Sequence, residues 1–350
     1  MYIFIIILSV LTVCFTLIPL IKHEYWIFRV FDYPRLQKLV ASLCCLTLLL
    51  IYVDSSSVLH WALCFAVGVN AIYLATQILP FTPFSKKQVL PAKANLPDQS
   101  FSIMIANVYE DNKNTKGCLQ VVAEANPDIL LLLETNKRWE EETESLKNAY
   151  PYHVRIPLEN TYGMLLYSRL PLLATEIRYL VEQDIPSIHC FFTLPSGKKI
   201  RLHAVHPTPP VPNENPRSTE RDKELLLVAD LAKASDDPVV VIGDLNDVAW
   251  SYTTELFLKM SGLLDPRRGR GFFNTFHAHY PFMRFPLDHA FISTDFKLKE
   301  LKRLPNFDSD HFPIFIHLQY EAQAAKQQQS MQPDASDIKE AEDKKQQSTT

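Results

Sequence analysis

Several polar side chains sit where apolar runs stop. Residues 101–106 run directly into Asn107, and 129–133 end at Glu134. The run 239–242 and Gly243 deliver Asp244, Leu245 and Asn246. Leu287 leads into Asp288 and His289, and Ser309 into Asp310 and His311. Carboxylates, amides and imidazoles at the ends of buried strands are costly unless paired or bound to a cation. Carboxylate and amide oxygens are hard ligands suited to Mg²⁺ or Mn²⁺, ions that keep several waters and bind substrate phosphate. An Asp beside such an ion can accept a proton from attacking water while an Asn holds that water's geometry. An imidazole paired with a carboxylate can carry positive charge against charge developing on phosphorus. This part of the chain has no close Cys pair, which speaks against a Cys/His zinc site.

These groups act together only if the strand ends converge. Residues 128–133 and 238–242 are continuous apolar runs bounded by turn signals, as in strands buried on both faces. Residues 101–106, 164–168, 188–193, 200–205, 287–293 and 312–318 also read as strands. Helical patterning covers 115–125, 137–149, 217–234 and 251–260, the last closed by Gly262. Strands outnumber helices, so the expectation is an α/β domain over 101–320 with two packed sheets covered by helices. The charged helix faces around Glu140–Glu144 and 220–224 read as solvated surface.

The rest of the chain is organised differently. The totals are ordinary: 350 residues, 47% hydrophobic, 21% charged, net charge −4 and mean hydropathy −0.04. Residues 1–85, however, hold only Lys22, Glu24, Arg29, Asp32, Arg35, Lys38 and Asp54 as charged side chains. This excludes a uniformly soluble chain, and the charged remainder excludes a polytopic transporter. Three apolar stretches, 2–21, 39–53 and 58–81, predict a membrane anchor of about three transmembrane helices. No small-x-small cleavage site follows the first, so it reads as retained. Trp26, His60 and Trp61 read as interfacial anchors. The bases between the first two stretches, and Lys86, Lys87 and Lys93 after the third, place residues beyond 85 in the cytoplasm if there are three crossings. Residues 86–100, with Pro91 and Pro97, read as an extended linker. Residues 321–350 are too polar to offset ordering and read as a disordered tail, after a frayed helix across 321–329.

The quoted residues, in order, resemble the endonuclease/exonuclease/phosphatase superfamily: Asn107; Glu134-Thr135; His206-Pro207; Gly243-Asp244-Leu245-Asn246; Asp288-His289; Ser309-Asp310-His311. That superfamily includes apurinic endonucleases, pancreatic-type deoxyribonucleases, neutral sphingomyelinases and inositol-polyphosphate 5-phosphatases. The stretches 243–251, 261–264, 267–271 and 284–289 are similar to a bacterial membrane-anchored branch, in which Trp is common where Phe276 stands here. The resemblance implies a four-layer α/β sandwich, two mixed sheets flanked by helices, preceded here by transmembrane helices. It implies Glu134 as principal metal ligand, with Asn107 and Asp310 contributing to the metal or to phosphate positioning. Asp244 would orient or deprotonate the attacking water, assisted by Asn246. His311, paired with Asp288, would stabilise the pentacovalent phosphate, and His206 would contact the scissile phosphate or assist the leaving group.

The expected function is therefore a membrane-anchored, Mg²⁺-dependent phosphoesterase, with Mn²⁺ as the alternative ion, hydrolysing a phosphodiester in nuclease fashion at a bacterial inner membrane. Two alternatives are a phospholipid head-group or inositol-phosphate esterase, and a non-catalytic membrane scaffold with the same fold. No protein partner is indicated. Acidic side chains outnumber basic ones in 101–320, unlike a strong sequence-independent nucleic-acid binder, although Arg267, Arg268 and Arg270 form a local basic cluster that could meet a polyanion. Against these roles stand plainer ones: Asx-type turns for Asp244, Asn246, Asp310 and Asn107, a loop position for His206, and packing for His289. His277 and His279 read as a solvated loop.

Overall fold

The computed structural model describes residues 2–52 and 56–348. Val53 and part of the connection between the second and third apolar stretches lie outside the described residues. At the front, α1 (Tyr2–Leu17), α3 (Arg35–Ile51) and α4 (Val58–Ile78) form a bundle, with the short α2 (Trp26–Arg29) between α1 and α3. Ile5, Cys45, Leu49, Cys64 and Val67 fill its centre. Tyr2 Oη meets His60 Nδ1 at 2.8 Å at one end, so His60 is turned into the bundle rather than outward as expected. At the other end Lys38 Nζ donates to Phe15 O at 3.1 Å. α3 thus runs antiparallel to α1 and α4. Residues 2–21 and 58–81 are long and apolar enough to cross a membrane. The pair Trp26–Asp32 and Arg35–Ile51, bent by 68°, makes a third candidate if read as one span.

The following domain is built on β1 (Ser100–Asn107), β2 (Ile129–Leu133), β3 (Tyr152–Ile156), β4 (Met164–Ser168), β5 (Leu172–Arg178), β6 (Ser187–Thr193), β7 (Lys199–Ala204), β8 (Val239–Asp244), β9 (Asp288–Ile292), β10 (Phe296–Arg303) and β11 (Ile314–Tyr320). One sheet has the order β10-β11-β1-β2-β4-β3 and the other β5-β6-β7-β8-β9. Both are mixed. β1 and β2 are parallel, as are β7 and β8, and the remaining pairs are antiparallel.

Side-chain alternation explains the layers. Phe101, Ile103 and Ile105 of β1 face Cys190, Leu202, Val240 and Ile242 of the other sheet in one dry core. Met104 and Ala106 face α5 (Thr115–Ala125) and Trp139 of α6 (Lys137–Glu142). Val239 and Val241 face α7 (Thr219–Lys233) and α8 (Tyr252–Ser261). The result is the expected sandwich of two mixed sheets flanked by helices. The parallel pairs are joined by crossovers through α5 and α7, so the carboxyl ends of β1, β2, β7 and β8 share one edge of the sandwich.

The strands not expected from sequence, β3, β5 and β10, are all sheet edges. Each has a run of solvent-exposed residues, so no continuous apolar run marks it. The linker 86–100 does not hang free. Ala92 N donates to Leu298 O at 2.9 Å and Leu298 N to Leu90 O at 2.9 Å, which covers the open rim of β10.

The tail also departs from expectation. Residues 335–346 form α9 (Ala335–Gln346), opened by a capping box at Asp334. Where a frayed helix was expected, only Ala324–Lys326 makes a single 3₁₀ turn. α9 packs on α7 and α8 through one buried alanine, Ala341. Its other hold is ionic: Lys344 Nζ reaches Asp222 at 2.9 Å and Glu24 at 3.5 Å. A docking made of one small side chain and ion pairs leaves no hydrophobic signature in the sequence.

Candidate active site

The shared edge gathers the polar residues. Asn107 ends β1 and Glu134 follows β2. Asp244 ends β8 and is the register partner of Asp288 at the start of β9. His206 stands two residues beyond β7, and Asp310 and His311 lie in the loop entering β11. Gly243 lets the strands close up here: a Cβ on it would lie 1.8 Å from Val205 O, beside His206. Glu134 and Asn246 hold left-handed backbone angles, φ 58° and 49°, that side-chain-bearing residues adopt rarely and mostly at functional turns.

Asn107 is the joint between the two sheets. Its Nδ2 donates to Glu134 Oε1 at 2.7 Å and to Asp244 Oδ2 at 3.2 Å. Its Oδ1 accepts from Tyr109 N at 3.0 Å, so the amide presents hydrogens, not oxygen, to the two carboxylates. Ser309 Oγ donates to Asn107 O at 2.8 Å and accepts from His311 N at 3.0 Å, fixing the third loop to the same strand. On the far side of Asp244, His311 Nε2 lies 3.5 Å from Oδ2, while His311 Nδ1 lies 2.8 Å from Asp288 Oδ2. A line Glu134–Asn107–Asp244–His311–Asp288 therefore crosses the floor of the cleft. Thr275 Oγ1 accepts from Asp288 N at 3.2 Å, and the Phe276 ring, where a Trp was expected, walls His311 at 5.0 Å.

The electrostatics separate the roles. Burial opposes charge on His311, but Asp288 and Asp244 outweigh it and raise its pKa to about 10, so the ring is an imidazolium at neutral pH. His206 is the reverse case: burial lowers it to about 4, and Asp244 only partly offsets this. Its ring is neutral, 5.2 Å from Tyr162, with Nδ1 lacking a partner. Burial pushes Glu134 up to about 7, although Asn107 and His311 oppose it; Asp310 and Asp244 add to the rise.

A divalent cation fits that last arrangement. Glu134 and Asp310 offer hard oxygens, and their shared negative surroundings are what a cation would relieve. Asp244, Asp288 and His311 also approach within 4.8 Å of one another. In this trio His311 bridges the two carboxylates through its two ring nitrogens. Asp310 is half-buried beside Ser309 Oγ at 3.5 Å, and Asn107 would need its amide turned over to serve as a ligand.

Matching known proteins agrees with this geometry. A model of the Endonuclease/Exonuclease/phosphatase family matches residues 104–311, more than half of the chain and every residue of the cleft. The chain belongs to that family. It is accordingly a metal-dependent enzyme acting on phosphate esters. Among solved structures the chain is similar to D. rerio TDP2 complexed with single strand DNA product, at 19% identity and TM-score 0.53, covering 63% of this chain and 98% of that one. It is similar to the human Nocturnin catalytic domain with bound sulfate anion, at 16% identity and TM-score 0.51, covering 65% and 96%. An endonuclease/exonuclease/phosphatase from Beutenbergia cavernae matches at 17% identity and TM-score 0.51, covering 64% and 72%. These likenesses concern the fold. No curated protein sequence matches the chain.

Within this family member, several sequence expectations change. Arg267 is buried, paired with Asp265 at 2.9 Å; Arg268 lies 5.2 Å from the Phe81 ring and Arg270 donates to Val89 O. Arg267 is thus taken up by a carboxylate and Arg270 by backbone carbonyls, while Arg268 stays half-exposed. His289 is packed as expected, with Nε2 2.8 Å from Asp247 O. Residues 220–224 are not solvated surface: Glu220, Arg221, Asp222 and Glu224 are all buried, as is Glu140. Arg221 Nη1 donates to Asn246 O at 2.8 Å, bracing the loop that follows Asp244. Asn246 Nδ2 turns to Pro207 O at 3.0 Å, which ties that loop to the His206 turn.

Tyr33, just before α3, is the other missed residue. Its hydroxyl donates to the same Asn246 carbonyl at 3.0 Å, and its ring stands edge-on to Phe285 at 5.4 Å. Nothing in its sequence neighbourhood marks this role, because its target lies more than two hundred residues away.

Proposed function

We propose that the chain is a membrane-anchored phosphodiesterase that uses Mg²⁺, or Mn²⁺, to hydrolyse its substrate by direct attack of water. The observation that carries this is the unbroken line from Glu134 through Asn107 and Asp244 to the His311–Asp288 pair. A cation held by Glu134 and Asp310 would supply positive charge against phosphate oxygens and lower the cost of water deprotonation.

The side chains do the remaining work. Asp244 is anchored at both oxygens, by Asn246 N at 2.9 Å and by Asn107 Nδ2, so its carboxylate is aimed to take the proton of an attacking water. The water oxygen bonds to phosphorus, one ester P–O bond breaks, and the proton ends on the departing alkoxide. His311, held charged by Asp288, stabilises the negative charge that builds on the equatorial oxygens. Neutral His206 is an N–H donor to the phosphate or the leaving oxygen.

The antiparallel run of α3 between α1 and α4 supports three crossings, with the catalytic domain on the cytoplasmic side of a bacterial inner membrane. The test uses the full chain in nanodiscs and bis(p-nitrophenyl) phosphate. Mg²⁺ or Mn²⁺ should support turnover and a chelator abolish it, and Asp244→Asn or His311→Ala should each lower kcat by about 10²–10⁴. Turnover that survives both substitutions would overturn the mechanism.

A further inference from the structure

The chain between Phe276 and Phe285 leaves the cleft and returns to it. Its base is closed by Phe276 N donating to Phe285 O at 3.0 Å. Ala278 N donates to Asp310 O at 2.6 Å, and the Phe276 ring lies 5.0 Å from that of His311, tilted by 48°, so the excursion is rooted in the catalytic loops. Its tip is Tyr280, Phe282 and Met283, which expose 60%, 88% and 52% of their surface. A Phe so exposed beside an active site is unfavourable in water. From Phe272 to Leu287 there is no Asp or Glu, and Arg284 is the one formal charge, braced on Ala278 O at 2.8 Å.

What adjoins the tip gives the exposure its meaning. Gln37 Nε2, in the first turn of α3, donates to Phe282 O at 2.7 Å. Leu36, Val40 and Leu43 on the same helix are apolar and turned outward. The bare tip is therefore continuous with the outer apolar surface of a candidate membrane helix. Tyr33, four residues before Gln37, touches the catalytic loop and Phe285. The tip thus meets the first turn of α3, whereas the catalytic loop meets Tyr33, before that helix begins. With α3 in a bilayer, the tip sits at head-group depth and the cleft directly above it. An aromatic, acid-free loop with one Arg suits the interfacial zone and its anionic phosphates.

We infer that loop 276–285 is seated in the leaflet, and that the cleft draws its phosphoester from the head group of a lipid in the same bilayer. This rests on the membrane-anchored phosphodiesterase reading and names its substrate class. The chemistry is unchanged: water adds to a head-group phosphorus and one of its two ester oxygens leaves as an alcohol.

The experiment uses the full chain in phosphatidylethanolamine and phosphatidylglycerol vesicles, with two readouts. First, Phe282→Trp should add tryptophan emission, over the parent protein, that lipids brominated near the head group quench. Added emission quenched by aqueous acrylamide and not by bromolipid would overturn the seating. Second, Tyr280→Ser, Phe282→Ser and Met283→Ser combined should keep bis(p-nitrophenyl) phosphate turnover within about twofold while metal-dependent head-group release falls tenfold or more. Unchanged head-group release, a parallel loss of both activities, or cleavage of single-stranded DNA with no lipid turnover by the parent would overturn the substrate assignment. If the parent turns over neither substrate, the phosphodiesterase reading fails, while quenching still decides where the loop sits.

Discussion

Replacing Asp288 by Asn should move the alkaline limit of activity. Asp288 Oδ2 is 2.8 Å from His311 Nδ1, and its charge is the main force that overcomes burial and raises the ring to about 10. An Asn keeps a hydrogen-bonding group of the same size but removes the charge. Asp244, 3.5 Å away, and the more weakly acting Asp310 then remain against desolvation, and the ring returns toward its ordinary value of about 6.5. At pH 8 a group titrating at 10 is about 99% protonated, whereas one titrating at 6.5 is about 3% protonated. The ratio of variant to parent kcat/KM should therefore fall about thirtyfold between pH 5.5 and pH 8, beyond any pH-independent loss. Stability follows the same sign. A raised His pKa contributes fully below about 6.5 and is lost as pH rises through about 10, so the parent's advantage over the variant fades above that range. The assay is a pH profile of kcat/KM for a soluble phosphodiester at saturating Mg²⁺, from pH 5.5 to 9. A ratio that stays flat would refute the claim that a charged His311 carries the reaction.

Tyr33→Phe removes one of the two donors to Asn246 O and leaves Arg221 in place, so about 1 kcal/mol is at stake. kcat should fall up to about fivefold and the melting temperature by a few degrees; an unaltered kcat would deny the brace. Glu134, raised to about 7, makes the metal-free protein less stable as pH rises from about 4.5 through 7. Mn²⁺ should then raise Tm more at pH 7.5 than at pH 5.5 by scanning fluorimetry, and Glu134→Gln should erase the difference. Lys344→Met takes a buried cation from Asp222, a charge-assisted contact of about 1.5–3 kcal/mol, and should lower Tm by several degrees; no change would mean that α9 is not held ionically.

The sequence was informative where burial is two-sided. β2 and β8 read as apolar runs, and the polar residue closing each run proved to line the cleft. β3, β5 and β10 were silent because an edge strand alternates polar and apolar residues irregularly against solvent. The site was legible for a similar reason: Asp244, Glu134 and His311 are conspicuous because their positions would be costly for charge without partners. Arg221 was not, since a charged residue on a charged helix looks solvated until Asp222 and Asp247 are placed around it. In the Arg267–Arg270 cluster, two of the three bases turned out to be engaged locally, by Asp265 and by backbone carbonyls. Tyr33 and Lys344 depend on contacts between chain regions whose meeting no local pattern encodes.

Asp222 is the place where those distant regions meet. Burial alone would raise its carboxyl, but Lys344, Arg221 and Arg29 hold it well below the usual range. Glu24 and Lys344 join the same junction from positions 320 residues apart. During synthesis the bundle and both sheets are made before Lys344 emerges, so the nascent domain carries a buried carboxylate short of one counter-ion. A chain interrupted before α9 stays in that condition. Its support behind Arg221 and the Asn246 loop is weakened, and its lower stability exposes it to proteolysis. The helix least conspicuous in the sequence thus completes the charge balance behind the catalytic loop.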